Sequence, residues 1–209
     1  KVEILNDEFQ QVHQYNPIEY IKSRIKTPES IVKKLKNDGC EVTIENMVEH
    51  LNDIAGIRII CSFMSDIYPI ADMIARQADI TVLHVKDYIK YPKANGYKSY
   101  HMVVTIPVYL SEGKRDTKVE IQIRTIAMDF WASLEHKIAY KFEGKAPDYL
   151  ERELKSCADM VDMLDMKMFS LNQAIMAVEE EERRREEEKR REREKVERKQ
   201  EELAGNGPT

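Results

Sequence analysis

The sequence has few cysteines, few glycines and no long apolar run. Its three cysteines, Cys40, Cys61 and Cys157, are odd in number and far apart, which excludes a disulfide framework and disfavours a zinc knuckle. The longest apolar run, around residues 57–64, contains Arg58 and is too short to span a bilayer. No basic start followed by an apolar segment indicates secretion. We therefore expect a protein of the reducing cytoplasm that does not enter a membrane.

Charge is distributed unevenly along the 209 residues. The net charge is -5, yet between residues 179 and 202 only Val196 and Gln200 are uncharged. Many pairs there, such as Glu179 and Arg183, place an acid four residues before a base, which favours an exposed helix. Contact with RNA is an alternative, weakened because acidic residues outnumber basic ones. The composition predicts one domain over residues 1–145, a helical segment over 146–178 and a charged helical or disordered tail over 179–209.

Hydrophobic periodicity predicts helices and four strands. The apolar residues of 4–25 recur loosely at helical spacing, and Thr27 and Pro28 start a second helix that Gly39 closes. Further helices are predicted over 44–51, 66–78 and 126–142, with a break at 144–147 and helix from 149 onward. The predicted strands are 54–63, 80–88, 100–110 and 117–124, the last two joined by a turn over 111–116. These elements predict an α/β (α+β) domain with a mixed sheet.

The strand over residues 117–124 alternates strictly between apolar and polar residues. Val119, Ile121 and Ile123 point one way, whereas the other face carries Lys118, Glu120, Gln122 and Arg124. A polar sheet face in a mixed domain is either covered by helices or forms a binding site. The combination of Glu, Gln and Arg favours a binding site.

A basic loop precedes these strands. Residues 91–101 contain Lys93, Gly96, Tyr97, Lys98 and His101, which together offer backbone donors, ammonium groups and a ring that can stack on a base. Taken singly, Tyr97 is better explained as a ring packed at a turn, and His101 as a core histidine satisfied by hydrogen bonds. Taken together, the residues indicate a nucleotide site.

Two further clusters bear charge. Residues 23–30, with Lys33 and Lys34, surround a helix N-terminus, which suits either a phosphate or a solvated basic face. Asp53 precedes a strand from which Arg58 projects, and both residues could belong to a binding site. Alternatively, Arg58 is a paired arginine that reaches solvent and Asp53 only ends a helix. A nucleotide site needs carboxylates for Mg²⁺, cations for phosphate and groups that stack on bases. All of these are present.

Five motifs resemble the synthetase domain of the RelA/SpoT family in order and spacing along most of residues 15–145. They are Ser23–Lys26, Asp53–Arg58, Tyr91–His101, Glu120–Thr125 and Asp129–His136. The resemblance implies a nucleotidyltransferase-like fold flanked by helices. It also implies transfer of pyrophosphate from ATP to the 3′-OH of GDP or GTP, which makes (p)ppGpp. Since neither a hydrolase domain nor a long regulatory region is seen, the chain is similar to a small alarmone synthetase.

The resemblance also implies roles for individual residues. Asp53 and Glu120 would hold Mg²⁺, and Glu120 would orient or deprotonate the 3′-OH. The ATP residues would be Arg24 and Arg58 on the two faces of adenine, with Lys26, Ser30 and Lys34 on the phosphates. The acceptor residues would be Tyr97 stacked on guanine, Lys93, Lys98 and His101 on the phosphates, and Gln122 and Glu135 in the pocket.

The resemblance further implies a homotetramer. We expect a Met-rich helical face to pack against another subunit, although an intrachain core is the alternative; this face comprises Met160, Met163, Leu164, Met168, Leu171 and Ile175. Single-stranded RNA or an alarmone is retained as a candidate regulator. The choice between GDP and GTP stays open, because residues 84–87 read His-Val-Lys-Asp where the bifunctional enzymes carry a charged motif.

Two rival functions would use parts of the same sequence. A polymerase-like nucleotidyl transferase usually has a Gly-Ser turn followed by an Asp-x-Asp pair, which this sequence lacks. A non-catalytic RNA-binding module would use the basic loop and the charged tail, and its affinity for RNA would survive loss of Asp53 or Glu120.

Overall fold

The computed structural model describes residues 1–13, 15–111, 113–141 and 147–205. The chain forms two compact units, Lys1–Met166 and Lys167–Thr209. The first unit contains a five-stranded sheet with helices, and the second is helical. The strands are β1 Ile18–Ile25, β2 Ala55–Cys61, β3 Thr81–Asp87, β4 Tyr100–Leu110 and β5 Gly113–Thr125. The helices are α1 Val2–His13, α2 Pro28–Asn37, α3 Ile44–His50, α4 Met64–Ala75, α5 Ile126–Lys141 and α6 Asp148–Gly205.

The sheet is mixed, as the sequence predicted. Its strand order is β1-β2-β5-β4-β3, with β2 and β5 parallel and every other neighbouring pair antiparallel. The parallel pair lies at the centre of the sheet. The ends of β1, β2 and β5 that carry charged residues therefore lie side by side.

The first strand corrects the prediction of helix over residues 4–25. The helix ends at His13, and Ile18–Ile25 is a strand paired antiparallel with β2. Ile18, Ile21 and Ile25 are spaced three and four residues apart, which imitates the period of a helix. However, isoleucine is β-branched and favours strands, and Ile25 is exposed at the edge of the sheet. The sheet therefore has five strands rather than four.

The β4–β5 hairpin is longer than predicted. The two strands pair from Tyr100 opposite Ile123 to Leu110 opposite Gly113, so most of the predicted turn over 111–116 is strand. Gly113 has φ +112°, a backbone conformation that side chains other than hydrogen rarely allow. In the break predicted at 144–147, residues 144–146 lie outside the described residues.

The two faces of the sheet differ in polarity, as the alternation of β5 predicted. Val119, Ile121 and Ile123 are buried in a core that includes Ile67 and Ile74 of α4. Burying each such side chain contributes about 1.5–3 kcal/mol. This core fixes the sheet on one side, and the opposite face carries the even-numbered polar residues of β5.

Helix α2 begins as the sequence predicted. Thr27 is the N-cap, and its hydroxyl accepts a hydrogen bond from the backbone N–H of Ser30 at 3.4 Å, while Pro28 occupies the first turn. The backbone N–H of Lys26 donates to the carbonyl oxygen of Ile54 at 2.7 Å. This bond holds the start of α2 beside the residues that lead into β2.

The second unit carries ion pairs along its helix. Within it, Glu181 pairs with Arg185 at 2.6 Å, as the i,i+4 pattern predicted, and Arg190 pairs with Glu194 at 3.6 Å. The helix extends to Gly205, so 206–209 of the predicted tail lie outside the described residues. None of the helices in the described ranges has the length and apolarity that a bilayer span requires.

The Met-rich face is not an intrachain core. Each of its six residues is more than half exposed, from 51% for Met168 and Leu171 to 66% for Met163. Packing against another subunit stays a prediction, as do the boundaries at 145/146 and 178/179.

Candidate active site

A cavity of about 210 Å³ opens on the polar face of the sheet, where β1, β2 and β5 lie side by side. Its lining comes from all three strands: Lys22, Ser23, Arg24, Gly56, Ile57, Arg58, Glu120 and Gln122. Four of these are predicted site residues, Arg24, Arg58, Glu120 and Gln122. The structure thus brings together residues that are as many as 98 positions apart in the printed sequence.

Gly56 gives the cavity its floor. The strand pairing places Gly56 between Arg24 of β1 and Glu120 of β5. A Cβ atom at this position would lie 3.5 Å from Cγ of Arg24, an ordinary van der Waals contact. Because glycine has no side chain, the space between the arginine and the carboxylate stays open.

The two predicted adenine-stacking arginines are diagonal neighbours. Arg24 lies opposite Gly56, and Lys22 lies opposite Arg58, in the antiparallel β1–β2 pair. Diagonal neighbours on one face of such a pair are about 7–8 Å apart. A planar base between two guanidinium groups needs about 7 Å, twice a van der Waals contact of about 3.5 Å. The two arginine side chains therefore start from neighbouring positions on one face of the sheet.

Asp53 accepts hydrogen bonds from two of the predicted phosphate-binding lysines. Lys26 Nζ lies 2.5 Å from Oδ2 and Lys34 Nζ lies 2.8 Å from Oδ1. Burial acts to raise the pKa of Asp53, but the hydrogen bonds and positive charges of the two lysines outweigh it and lower that pKa below its ordinary value. Asp53 is therefore ionised at neutral pH. Each ammonium group has three donors, so each lysine keeps donors for a phosphate.

Glu120 receives two hydrogen bonds from neighbouring strand residues. His101 Nδ1 lies 3.4 Å from Oε1, and Gln122 Nε2 donates to Oε2 at 2.9 Å. The hydrogen bond from His101 lowers the pKa of Glu120, against the opposing effects of burial and of the Asp53 charge.

A ring of hydrogen bonds connects the predicted acceptor residues through Arg124. Arg124 Nη2 donates to the Tyr97 hydroxyl at 2.6 Å and to Gln122 Oε1 at 2.8 Å. The Tyr97 hydroxyl lies 2.8 Å from His101 Nε2. Since His101 and Gln122 both reach Glu120, the five side chains form a closed circuit.

Asp129, in the first turn of α5, fixes Arg124 from the other side. Its Oδ1 accepts from Arg124 Nη1 at 3.2 Å and from Arg58 Nη1 at 3.1 Å, and Oδ2 accepts from the Tyr20 hydroxyl at 3.2 Å. Arg124 is 4% exposed and Asp129 is 5% exposed. Burial lowers the pKa of Arg124, yet arginine stays protonated in proteins, so its N–H groups remain donors.

Lys93 lies against the cluster of rings formed by Tyr88, Tyr97 and His101. Its Nζ is 4.8 Å from the ring centroid of Tyr97 and 4.9 Å from that of Tyr88. Glu135 accepts from Asn95 Nδ2 at 3.4 Å and thereby contacts the same loop. The loop, β4 and α5 thus bring Lys93, Tyr97, His101 and Glu135 to the acceptor side of the polar face.

Two predicted residues have partners elsewhere. Lys98 forms an ion pair with Asp162 of α6, and it lines a small crevice with Gly96 and Trp131 rather than the cavity. Ser30 accepts from Thr27 Oγ1 at 3.1 Å at the start of α2. Lys98 keeps further N–H donors and Ser30 keeps its own O–H donor in these pairs, and their predicted contacts with phosphates stay predictions.

The carboxylates suit Mg²⁺ but do not form a dedicated protein cage. The described ranges contain no group of three or more His, Cys, Asp or Glu residues that could hold a metal ion. Mg²⁺ is typically bound by one or two carboxylates together with substrate phosphates and water. Asp53 and Glu120, both with lowered pKa, are a donor set of this kind.

Sequence reasoning missed three residues of the site. Lys22 lines the cavity, and Arg124 and Asp129 form the buried pair beneath it. The parity of β5 already placed Arg124 on the same face as Glu120 and Gln122, so that signal was available. Asp129 begins the fifth family motif, but an acidic residue in the first turn of a helix commonly stabilises the helix dipole, so no site role was assigned to it.

Comparison with known proteins identifies the family of this chain. Residues 23–145 match the model of a region found in RelA and SpoT proteins, which covers more than half of the chain. The GTP pyrophosphokinase YwaC of Bacillus subtilis strain 168 is 50% identical over 175 residues, 84% of this chain and 83% of that protein. The chain belongs to the RelA/SpoT family.

Solved structures of small alarmone synthetases have the same fold. Synthetase 2 of Bacillus subtilis is 47% identical, with a TM-score of 0.75 over 83% of this chain and 90% of that one. Synthetase 1 of the same organism, solved with its product pppGpp, is 34% identical, with a TM-score of 0.75 over 83% of this chain and 92% of that one. These similarities confirm the fold class predicted from the sequence.

Proposed function

We infer that this protein is a GTP pyrophosphokinase, a small alarmone synthetase that transfers pyrophosphate from ATP to the 3′-OH of GDP or GTP and releases AMP. The observation that carries this function is the single polar sheet face on which an open cavity flanked by Arg24 and Arg58 adjoins Glu120. A relative that is 50% identical to this chain bears the name GTP pyrophosphokinase. Another was solved with pppGpp, the product of such a transfer to GTP.

We assign ATP to the cavity between β1 and β2. Arg24 and Arg58 would contact the two faces of adenine, because both line this cavity from diagonal positions of the β1–β2 pair. The triphosphate would extend toward Lys26 and Lys34, whose remaining N–H donors are available for phosphate oxygens. Their attachment to Asp53 limits their motion and so reduces the entropy lost when ATP binds.

We assign Mg²⁺ to Asp53 and Glu120, the two ionised carboxylates of the site. When bound, the ion would neutralise part of the charge that develops on the phosphate oxygens.

We assign the acceptor nucleotide to the side of the site formed by the loop, β4 and α5. Tyr97 would stack on guanine, while Lys93 and His101 would meet phosphates, and Gln122 and Glu135 would shape the pocket. The 3′-oxygen attacks the β-phosphorus, the bond from that phosphorus to the α–β bridging oxygen breaks, and AMP leaves. Glu120 would orient the 3′-OH and accept its proton. Catalysis here depends on positioning and charge stabilisation and forms no covalent enzyme intermediate.

We further propose that the enzyme acts in the cytoplasm during the stringent response, as a homotetramer. The exposed Met-rich face supports the assembly, since apolar patches of this kind usually mark interfaces. Light scattering at micromolar concentration checks the mass, and a monomer would contradict the tetramer. Single-stranded RNA and (p)ppGpp remain candidate regulators to be added to the activity assay.

The function is tested by thin-layer separation of products from γ-labelled ATP with GDP or GTP and Mg²⁺. We expect labelled guanosine tetra- or pentaphosphate from the wild type and almost none from Glu120→Gln, and the preferred acceptor will be apparent. Chelation by EDTA should abolish the product, and excess Mg²⁺ should restore it. If neither acceptor gives product while RNA binds with equal affinity to wild type and Glu120→Gln, the protein is a binding module instead.

A further inference from the structure

Arg124 occupies an unusual place on the polar face. It is 4% exposed, and none of its donors is directed at the cavity lining except the one that reaches Gln122. Its Nε donates to Ser99 Oγ at 3.3 Å and its Nη1 donates to Asp129 Oδ1 at 3.2 Å. With these two bonds fixed, the two hydrogens of Nη2 have set directions. One points to the Tyr97 hydroxyl and the other to Gln122 Oε1.

The first direction leaves the hydroxyl hydrogen of Tyr97 free for the His101 side. The oxygen of Tyr97 accepts from Arg124 at 2.6 Å, so its own hydrogen is available for His101 Nε2 at 2.8 Å. A neutral imidazole that accepts at Nε2 carries its proton on Nδ1. That proton faces Glu120 Oε1, 3.4 Å away.

The second direction determines the orientation of Gln122. Its Oε1 accepts from Arg124 at 2.8 Å, so its Nε2 donates to Glu120 Oε2 at 2.9 Å. An amide rotated by half a turn would place two oxygens together at Glu120 and two donors together at Arg124. Arg124 therefore selects the orientation in which Gln122 serves Glu120.

We propose that Arg124 is a positioning residue that, through Tyr97 and His101 on one side and Gln122 on the other, presents an N–H donor to each oxygen of Glu120. Asp129 and Ser99 hold Arg124 in place for this task. The inference depends on the proposed function only for its effect on turnover, since the hydrogen-bond directions exist without substrate. Misplacement of a reacting group by about 1 Å costs about 100-fold in rate.

The test compares Arg124→Met, Tyr97→Phe and wild type. Arg124→Met removes both directing donors, whereas Tyr97→Phe keeps the ring and breaks only the His101 side. The control is Arg115→Met, the same change at an exposed position of β5 near the hairpin end. A second control is Tyr88→Phe. The Tyr88 ring packs edge-on against His101, with 5.2 Å between the ring centroids, but it is not one of the residues that link Arg124 to Glu120.

The first measurement is the ring ¹⁵N spectrum of His101, recorded at increasing pH until it no longer changes, so that the neutral imidazole is observed. His101→Gln assigns the signal. We expect the Nδ1–H tautomer in wild type, Arg115→Met and Tyr88→Phe, and its loss in Tyr97→Phe and Arg124→Met. Retention of that tautomer in Tyr97→Phe would overturn the proposal, and this variant decides the matter even if Arg124→Met does not fold.

The second measurement is steady-state kinetics. We expect kcat to fall about 10-fold in Tyr97→Phe and about 100-fold in Arg124→Met, while the acceptor KM of Tyr97→Phe changes by less than about 3-fold because the stacking ring remains. A changed KM with unchanged kcat would show a role in binding only and would contradict the proposal. Absence of wild-type activity would defeat the proposed function, yet the tautomer comparison would still test the positioning role.

Discussion

The two halves of the polar face are organised differently. On the half assigned to the pyrophosphate donor ATP (the donor half), Arg24 and Lys22 line an open cavity. Arg58 Nε is buried there without a hydrogen-bond partner among the described residues. On the acceptor half, the side chains form a closed circuit that includes Tyr97 and His101. A closed circuit is organised before the ligand arrives, whereas an open cavity completes its contacts with the ligand. Substitutions should therefore have local effects on the donor half and distributed effects on the acceptor half.

The largest expected effect is that of Asp53→Asn, which removes the charge that fixes Lys26 and Lys34. We expect kcat/KM for ATP to fall about 100- to 1000-fold, since a charged group of the site is lost, and the Mg²⁺ requirement to shift to higher concentration. The control is Asp72→Asn, because Asp72 is an exposed residue that pairs with Arg76. Equal activity of wild type and Asp53→Asn would show that Asp53 has no role in ATP binding or catalysis.

An intermediate effect is expected from filling the cavity floor at Gly56. Gly56→Ala adds a Cβ at ordinary contact distance from Arg24, whereas Gly56→Val adds two further methyl groups to the space. We expect the KM for ATP to rise only slightly in the first variant and about 10- to 100-fold in the second, with the acceptor KM unchanged. Steady-state kinetics at saturating GTP gives the KM for ATP, and kinetics at saturating ATP gives the acceptor KM. If the acceptor KM rises instead, the cavity belongs to the acceptor.

The smallest effect on activity is expected at Gly96, where substitution should act mainly on stability. Gly96 lies in the basic loop over residues 91–101, the acceptor loop. Gly96 has φ +86°, and a Cβ there would lie 2.5 Å from Cβ of Ala158 in α6. The matched control is Gly39→Ala, because Gly39 has φ +73° with nothing within 4 Å of the added atom. Both variants bear the backbone cost of about 1–2 kcal/mol, and Gly96→Ala bears an additional packing cost of about 1–3 kcal/mol.

Urea unfolding followed by circular dichroism measures that difference. Equal free energies of unfolding for the two glycine variants would show that the acceptor loop does not depend on α6. A selective rise in the acceptor KM of Gly96→Ala would sharpen the contrast between the halves, because Tyr97 is adjacent in the chain.

The sequence predicted the features that local periodicity determines. The parity of β5 identified the polar face and separated Glu120 from Val119 and Ile121, which the structure places in the core. The cap at Thr27 likewise identified the start of α2. These features depend on residues within a few positions of one another, so a single sequence is sufficient to predict them.

The features that sequence reasoning missed depend on distant partners. The family resemblance implies a phosphate contact for Lys98, but it does not reveal the partner Asp162, which is 64 residues away. The contact of Arg58 with Asp129 joins residues 71 apart. Local charge cannot reveal such pairs, and β1 was misassigned because isoleucines at helical spacing also suit an edge strand.

The most direct test of the central claim, that pyrophosphate moves as a unit from ATP to the 3′-oxygen, is ³¹P NMR of the reaction with GTP. We predict that AMP and a 3′-pyrophosphorylated guanosine nucleotide appear in a ratio of about one to one, and that both are nearly absent with Glu120→Gln. Formation of ADP and phosphate, or of AMP without the guanosine product, would contradict this account of the site.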